Sequence, residues 1–294
     1  MNKLLRANFS RLFKSKVFWI CLSCMFVPAA YSVGIRAYNR ITASENAYQS
    51  PDGLLFMSGV YLPVVIAVLI GIYIGTEYSD GTLRNKLIIG HSRVHIYIAN
   101  LIVSVTTVLV LNLVYMAVIV CAGIPLVGKF TTPVNVLVKC FLCENLSVLA
   151  ITAISLFVSM RIQSKSTGSI LAIIVSVGLL FGSSLISISL EEPEYIFNDD
   201  VQINTYVESE NSSENEENVT LTKEKNPDYL TGTRRKMYEF LDVFLPSSHL
   251  FKYEQYVEKE AVSDDIGAMS VCSCIIFVAI SICGIFVFRQ QNVN

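Results

Sequence analysis

Charge is what this 294-residue chain has least of. Asp, Glu, Lys and Arg make up 16% of it and hydrophobic residues 53%, whereas soluble globular chains carry roughly 25% charged residues. The net charge of −2 leaves no basic surplus, so composition points to no nucleic-acid partner. No G-x-x-x-x-G-K-[ST] phosphate loop occurs, so P-loop ATP chemistry is not expected on this chain. The apolar runs contain neither H-E-x-x-H nor a nucleophilic Ser elbow, which argues against an intramembrane enzyme. No internal repeat and few intramembrane charges are present, which disfavours an ion-coupled secondary transporter. Acidic residues are scarce outside one stretch: residues 191–265 hold 19 of the 24 acidic groups and 7 of the 22 basic ones.

The eight cysteines do not form a framework. Cys21, Cys24, Cys121, Cys140, Cys143, Cys272, Cys274 and Cys283 all lie in or at the end of apolar runs. Cys21/Cys24 and Cys140/Cys143 have CxxC spacing but stand among Ile, Leu, Val and Phe, without the polar second shell of a zinc site. They are expected to be free thiols acting as small apolar residues, with no metal bound.

What is present is length of apolar sequence. Six runs are long enough to cross a bilayer: Val17–Ile35, Leu54–Ile74, Ile96–Val120, Val136–Met160, Ile170–Leu190 and Ile266–Phe288. Backbone groups in lipid must be satisfied within their own segment, which selects helices. The expectation is an all-α integral membrane protein with six transmembrane helices, five of them within 17–190 and the sixth at 266–288. Lys3, Arg6, Arg11, Lys14, Lys16, Arg84, Lys86, Arg93, Arg161, Lys165 and Arg289 fall on one side of these spans. Only Arg36, Arg40 and Lys129 fall in the short loops opposite. The excess predicts a plasma-membrane protein with both termini cytoplasmic, a cytoplasmic tail at 289–294 and an extracellular segment at 191–265. Residues 1–16 read as an amphipathic interfacial helix, with Leu5, Phe9, Leu12 and Phe13 on one face and Lys3, Arg6, Arg11 and Lys14 on the other. A cleaved signal peptide fits less well, because the apolar run continues to Ile35.

The cytoplasmic loop 76–95, TEYSDGTLRNKLIIGHSRVH, is the most informative stretch. Glu77 stands where span two meets the inner interface. Asp80 is expected to cap a short helix from Gly81 or Thr82 to Ile89, Gly90 to stop it, and Ser92 to cap span three. Leu83, Leu87 and Ile88 form an apolar stripe, with Arg84 and Lys86 directed elsewhere. A short amphipathic helix between two spans makes a handle for a soluble partner.

Glu77-x-x-x-Gly81-Thr82-Leu83-Arg84, placed directly after span two, resembles the cytoplasmic loop of type-2 ABC exporter permeases, a layout shared with the G-subfamily of ABC transporters. The resemblance covers nearly the whole chain, from the basic amphipathic helix to the large outer loop between spans five and six. Residues 226–246, NPDYLTGTRRKMYEFLDVFLP, also look like outer-loop sequence of bacterial permeases of this kind. The resemblance implies coupling to an ATPase through Glu77, Asp80, Gly81, Thr82, Leu83, Arg84 and Leu87. It implies two ATPase subunits on the cytoplasmic face and a second permease chain, the same or related. ATP and magnesium would be bound by the partner, with no cofactor on this chain. The cargo would be a peptide, drug or other amphipathic molecule moved out of the cell. The rival reading is a membrane sensor or immunity protein with an extracellular receptor segment and no transport.

Two ionisable residues lie clearly within a span, Lys139 and Glu144, both in span four. Lys139 can snorkel to the outer interface, whereas Glu144 is deeper and calls for a partner on another helix, as a packing contact or a pathway group. In the outer segment, Ser209–Glu217 reads as a polar loop. Tyr238–Phe251 reads as an amphipathic, re-entrant element broken at Pro246.

Overall fold

The structure, a computed structural model, describes residues 1–42, 51–198, 222–258 and 265–291. The acidic stretch Ser209–Glu217 lies outside the described residues.

The chain opens with α1 (Asn2–Lys14) and turns at an extended Ser15 into α2 (Lys16–Thr42). The face of α1 against the bundle is Leu4, Asn8 and Leu12, spaced by four. Of the expected apolar face, Leu12 packs into the bundle, Leu5 and Phe9 are partly buried against it and Phe13 is exposed, while α1 packs on α2 and the third span.

A 3-10 turn, Gly53–Leu55, precedes α3 (Ser58–Ser79), and α4 (Thr82–Ile88) follows it. The next span runs from α5 (Arg93–Val118) through a π-helical segment, Ile119–Gly123, into the single turn α6 (Ile124–Leu126). It therefore extends past the expected end at Val120. Pro125 has no N–H to offer Cys121, and wider π bonding absorbs that loss without ending the helix. Then come α7 (Val134–Arg161) and α8 (Lys165–Glu191). A two-stranded antiparallel ribbon follows, β1 (Tyr195–Asn198) against β2 (Thr222–Lys225), with Tyr195 opposite Lys225. The reading of 191–265 as an extracellular segment with a polar loop and one amphipathic element did not foresee it. The chain ends on α9 (Gly232–Phe244), α10 (Pro246–Glu258) and α11 (Asp265–Gln290).

Among the described residues six helices are long and apolar enough to cross a membrane. The spans on α3 and α7 form the centre, with 61% of the most apolar window of each buried, against 22% in α8 and α11. The outer helices turn apolar stripes away from the bundle, Ile170, Ile174, Val177 and Phe181 on α8 and Val271, Ile275 and Val278 on α11. Spans two and five pack directly on each other. A Cβ at Gly71 would stand 2.7 Å from the Ser169 Cα, and one at Gly75 2.9 Å from the Lys165 Cα. Only hydrogen fits at those two positions, one turn apart, which lets the backbones meet.

The bundle has two chemically different ends. At the basic end the Tyr78 hydroxyl donates to the Met160 carbonyl (2.6 Å) and Gln291 Nε2 to the Arg161 carbonyl (3.0 Å). These bonds tie together the ends of α3, α7 and α11. At the other end Asp52 Oδ2 accepts from the Thr131 and Thr132 amides at 2.9 and 3.2 Å, anchoring the turn before α7. There α10 sinks into the bundle, with Ser247, Ser248, His249, Leu250, Tyr253 and Val257 all buried. Pro246 does break the amphipathic stretch, and the two halves are separate helices meeting at Leu245.

Candidate functional site

At the basic end, apolar helices converge on a buried polar cluster built around one carboxylate. Glu77 lies in the last turn of α3 with none of its surface exposed. Arg11 of α1 brings Nη2 to 2.6 Å from Glu77 Oε1, and Lys86 Nζ of α4 pairs with the same oxygen. Asn100 Nδ2 of α5 donates to Oε2 at 2.9 Å. Asn8 closes the ring, donating from Nδ2 to Asn100 Oδ1 (2.7 Å) and accepting from Lys86 Nζ at Oδ1 (2.9 Å). Thr82 adds a further tie, accepting from Arg11 Nη1 at 3.1 Å and donating to the Glu77 carbonyl at 3.1 Å. The Arg11 guanidinium also lies 4.3 Å from the Tyr73 ring centroid, a cation–π contact.

The electrostatics are lopsided, with one carboxylate between two cations. Burial pushes the Lys86 ammonium below its ordinary range, and the neighbouring Glu77 pulls it back up. Removing one partner of such a buried pair leaves an uncompensated charge, which typically costs about 3–5 kcal/mol. The cluster therefore fixes α1, α3, α4 and α5 relative to one another. It works as a joint, since the carboxylate, the two cations and the two amides bind one another across four helices.

The short helix α4 has well-defined ends. Gly90, at φ 96°, donates to the Leu87 carbonyl (3.0 Å) while His91 donates to the Lys86 carbonyl (3.1 Å), a Schellman stop. Ser92 Oγ accepts from the His95 amide (3.3 Å) and so caps α5. Asp80 does not cap α4, contrary to expectation. The N-cap is Gly81 at φ 65°, and Asp80 instead ends α3 and accepts from the Ser79 hydroxyl. A left-handed turn between two helices needs Gly at its pivot, which displaces the side-chain cap by one residue.

The expected outward face of α4 is also corrected. Leu83 is 1% exposed and belongs to the chain's own core, and Leu87 packs half-buried against that core. The outward groups are Arg84, Asn85, Ile88 and Ile89, with Ile88 73% and Ile89 77% exposed. Lys86 turns in to Glu77 instead of pointing away, and Arg11 leaves the polar face of α1 to do the same. Sequence reasoning missed Asn8, Arg11, Lys86 and Asn100 as members of the site. One signal was available: Asn8 falls at the four-residue spacing of Leu4 and Leu12, and Asn100 lies inside an otherwise apolar span.

The intramembrane pair divides. Lys139 is exposed near the acidic end, while Glu144 is fully buried and receives the Ser58 hydroxyl at 2.6 Å. All eight cysteines are free thiols, and no metal-holding group of His, Cys, Asp or Glu occurs among the described residues.

A family model described as "ABC-2 family transporter protein" matches residues 4–181, which includes α1, the first five spans up to the middle of α8 and the whole Glu77 cluster. No curated protein matches the chain.

Proposed function

From the premise that the chain belongs to the ABC-2 transporter family, and is thus a membrane permease component of an ABC transporter, we propose that it is driven by a separate ATPase chain docked on α4. The observation that carries this reading is the Glu77 cluster. A short helix with two exposed isoleucines is bolted by a buried ion pair to span two and to α1. A push on Ile88 and Ile89 then moves α1, α3 and α5 as one body.

Two ATPase subunits bind the cytoplasmic face of a permease pair, the second chain being identical or related. ATP and magnesium reside on the ATPase. The basic end faces the cytoplasm, a reading its surplus of Lys and Arg supports, so that both termini lie inside and α9 and α10 outside. ATP binding draws the α4 helices together and switches the pathway from inward-open to outward-open. The cargo is a peptide, drug or other amphipathic molecule leaving the cell.

The test is affinity purification of the chain from its native membranes in mild detergent. An ATP-binding chain carrying a G-x-x-x-x-G-K-[ST] loop should accompany it, in equal number to the permease chains. A purified chain with no such companion would favour the sensor or immunity reading.

A further inference from the structure

Helix α9 turns its polar side to the protein and its apolar side out. Arg235, Tyr238 and Asp242 face the bundle, while Met237, Phe240 and Phe244 are exposed, the two phenyl rings stacked at 5.8 Å. A helix lying against water has the reverse pattern. The depth of its lower end accounts for this. The corner between α9 and α10 is pinned inside the bundle, where Ser247 Oγ donates to the Leu179 carbonyl at 3.2 Å and meets Ser183 Oγ at 2.6 Å. Leu179 lies near the middle of α8, about 18 Å along the axis from its end at Glu191. Bilayer hydrocarbon is about 30 Å thick, so Phe244 reaches acyl-chain depth. The exposed apolar stripe of α8 continues to the same level through Leu185 and Ile188. Arg235 shares a cavity with Leu190 and Glu191, so the first turns of α9, Met237 included, stand at headgroup level.

That cavity, about 430 Å³ in volume, is lined by Ser187, Glu191, Arg235, Glu239, Asp242 and Lys252. Its charges are unequally committed. Asp242 accepts from the Ser248 hydroxyl at 2.6 Å and pairs with Lys252. Arg235 lies over the Tyr229 ring, 4.9 Å from its centroid, and donates from Nε to Glu239 Oε1 at 3.0 Å. Its Nη1 is buried with no hydrogen-bond partner among the described residues. A guanidinium edge left open suits a phosphate, whose oxygens match the fork. Three carboxylates against two cations leave the wall net acidic, which disfavours a purely anionic ligand and favours one that carries an ammonium beside its phosphate.

We propose that the cavity between α8, α9 and α10 binds the headgroup of one zwitterionic phospholipid, its phosphate accepting from Arg235 Nη1, its ammonium beside Glu239 and its acyl chains against Phe240 and Phe244. One helix supplies all three contacts at the depths a lipid needs them. The lipid holds α9 on the bundle, and α9 in turn holds α10, since His249 Nε2 donates to the Val243 carbonyl at 2.8 Å. The site is independent of any ATPase docked on α4.

Native mass spectrometry of the full-length chain in detergent, titrated with phosphatidylethanolamine or phosphatidylglycerol, tests it. One phosphatidylethanolamine per chain should be retained in preference to phosphatidylglycerol. Arg235→Gln should weaken its binding about tenfold or more with the fold retained, as loss of a charged hydrogen bond does. Should Arg235→Gln not accumulate as folded protein, Glu239→Gln replaces it, and phosphatidylglycerol should then compete on equal terms. No preference between the two lipids in the unsubstituted chain, undiminished binding in folded Arg235→Gln, or an unchanged preference in Glu239→Gln would each overturn the assignment. So would displacement of the lipid by inorganic phosphate, or a photocrosslinker at Phe240 that captures a second copy of the chain in phosphatidylethanolamine vesicles.

Discussion

Glu77 shows how much one side chain can hold when it is dry. In water its pairs with Arg11 and Lys86 would contribute little, because surface ion pairs give about 0–1 kcal/mol. Here the carboxylate is fully buried, and the Lys86 side chain is 13% exposed. Glu77→Gln keeps the shape and removes the charge both cations need. The expected loss of stability lies near the lower end of about 3–5 kcal/mol, since Arg11 keeps 31% of its side chain in contact with solvent. Thermal unfolding of the purified chain reads it. Lys86→Met added to Glu77→Gln should recover part of the loss, because it removes one of the stranded charges. A Glu77→Gln chain as stable as the parent would mean that the cluster is not the joint described. The importance of Glu77 was legible from its position after an apolar run. Its partners were not, because Asn8, Arg11 and Asn100 meet it only after three helices pack.

On the scale of the element, α4 separates two jobs that its sequence superimposes. Its C-terminal stop and the start of α5 were readable, since Gly90 and Ser92 act through bonds a few residues long, whereas its N-cap was not. Its facing was not, since amphipathicity alone cannot tell which apolar residues the chain's own core will claim. The structure gives Leu83 to the core and leaves Ile88 and Ile89 outside. Leu83→Ala should therefore destabilise the permease itself by about 2–5 kcal/mol, the usual range for a buried Leu lost to a cavity. Ile88→Asp with Ile89→Asp should change the unfolding temperature little, as exposed substitutions do. Equal destabilisation by the two variants would show that α4 is oriented differently. The close approach of α3 and α8 is open to the same kind of test. Gly71→Leu forces a side chain into backbone 2.7 Å away, and overpacking of that kind costs roughly 1–3 kcal/mol. Folded protein with unchanged stability in that variant would show that spans two and five are not in contact there.

For the whole molecule, the six spans follow from hydropathy and length alone, which is why they were legible throughout. Their exact ends were less so. The π-helical continuation to Leu126 depends on how the chain meets Pro125, and the ribbon of β1 and β2 pairs residues more than twenty positions apart. Orientation makes the most direct prediction at this scale. Asn85 and Met237 are both exposed, at opposite ends of the bundle. A membrane-impermeant thiol reagent should label Met237→Cys in intact cells, over the background of the native cysteines. Asn85→Cys should be labelled only after permeabilisation. Labelling of both in intact cells would contradict the six-span orientation.

The central claim is that α4 hands force from an ATPase to the bundle through Ile88 and Ile89, and affinity for that ATPase tests it most directly. Each buried isoleucine contributes about 1.5–3 kcal/mol, and each 1.4 kcal/mol is a factor of ten. In reconstituted membranes, Ile88→Asp with Ile89→Asp should weaken ATPase binding by at least about a hundredfold and abolish cargo-stimulated ATP hydrolysis, while the permease stays folded. Unchanged ATPase affinity together with full transport in that variant would contradict the account.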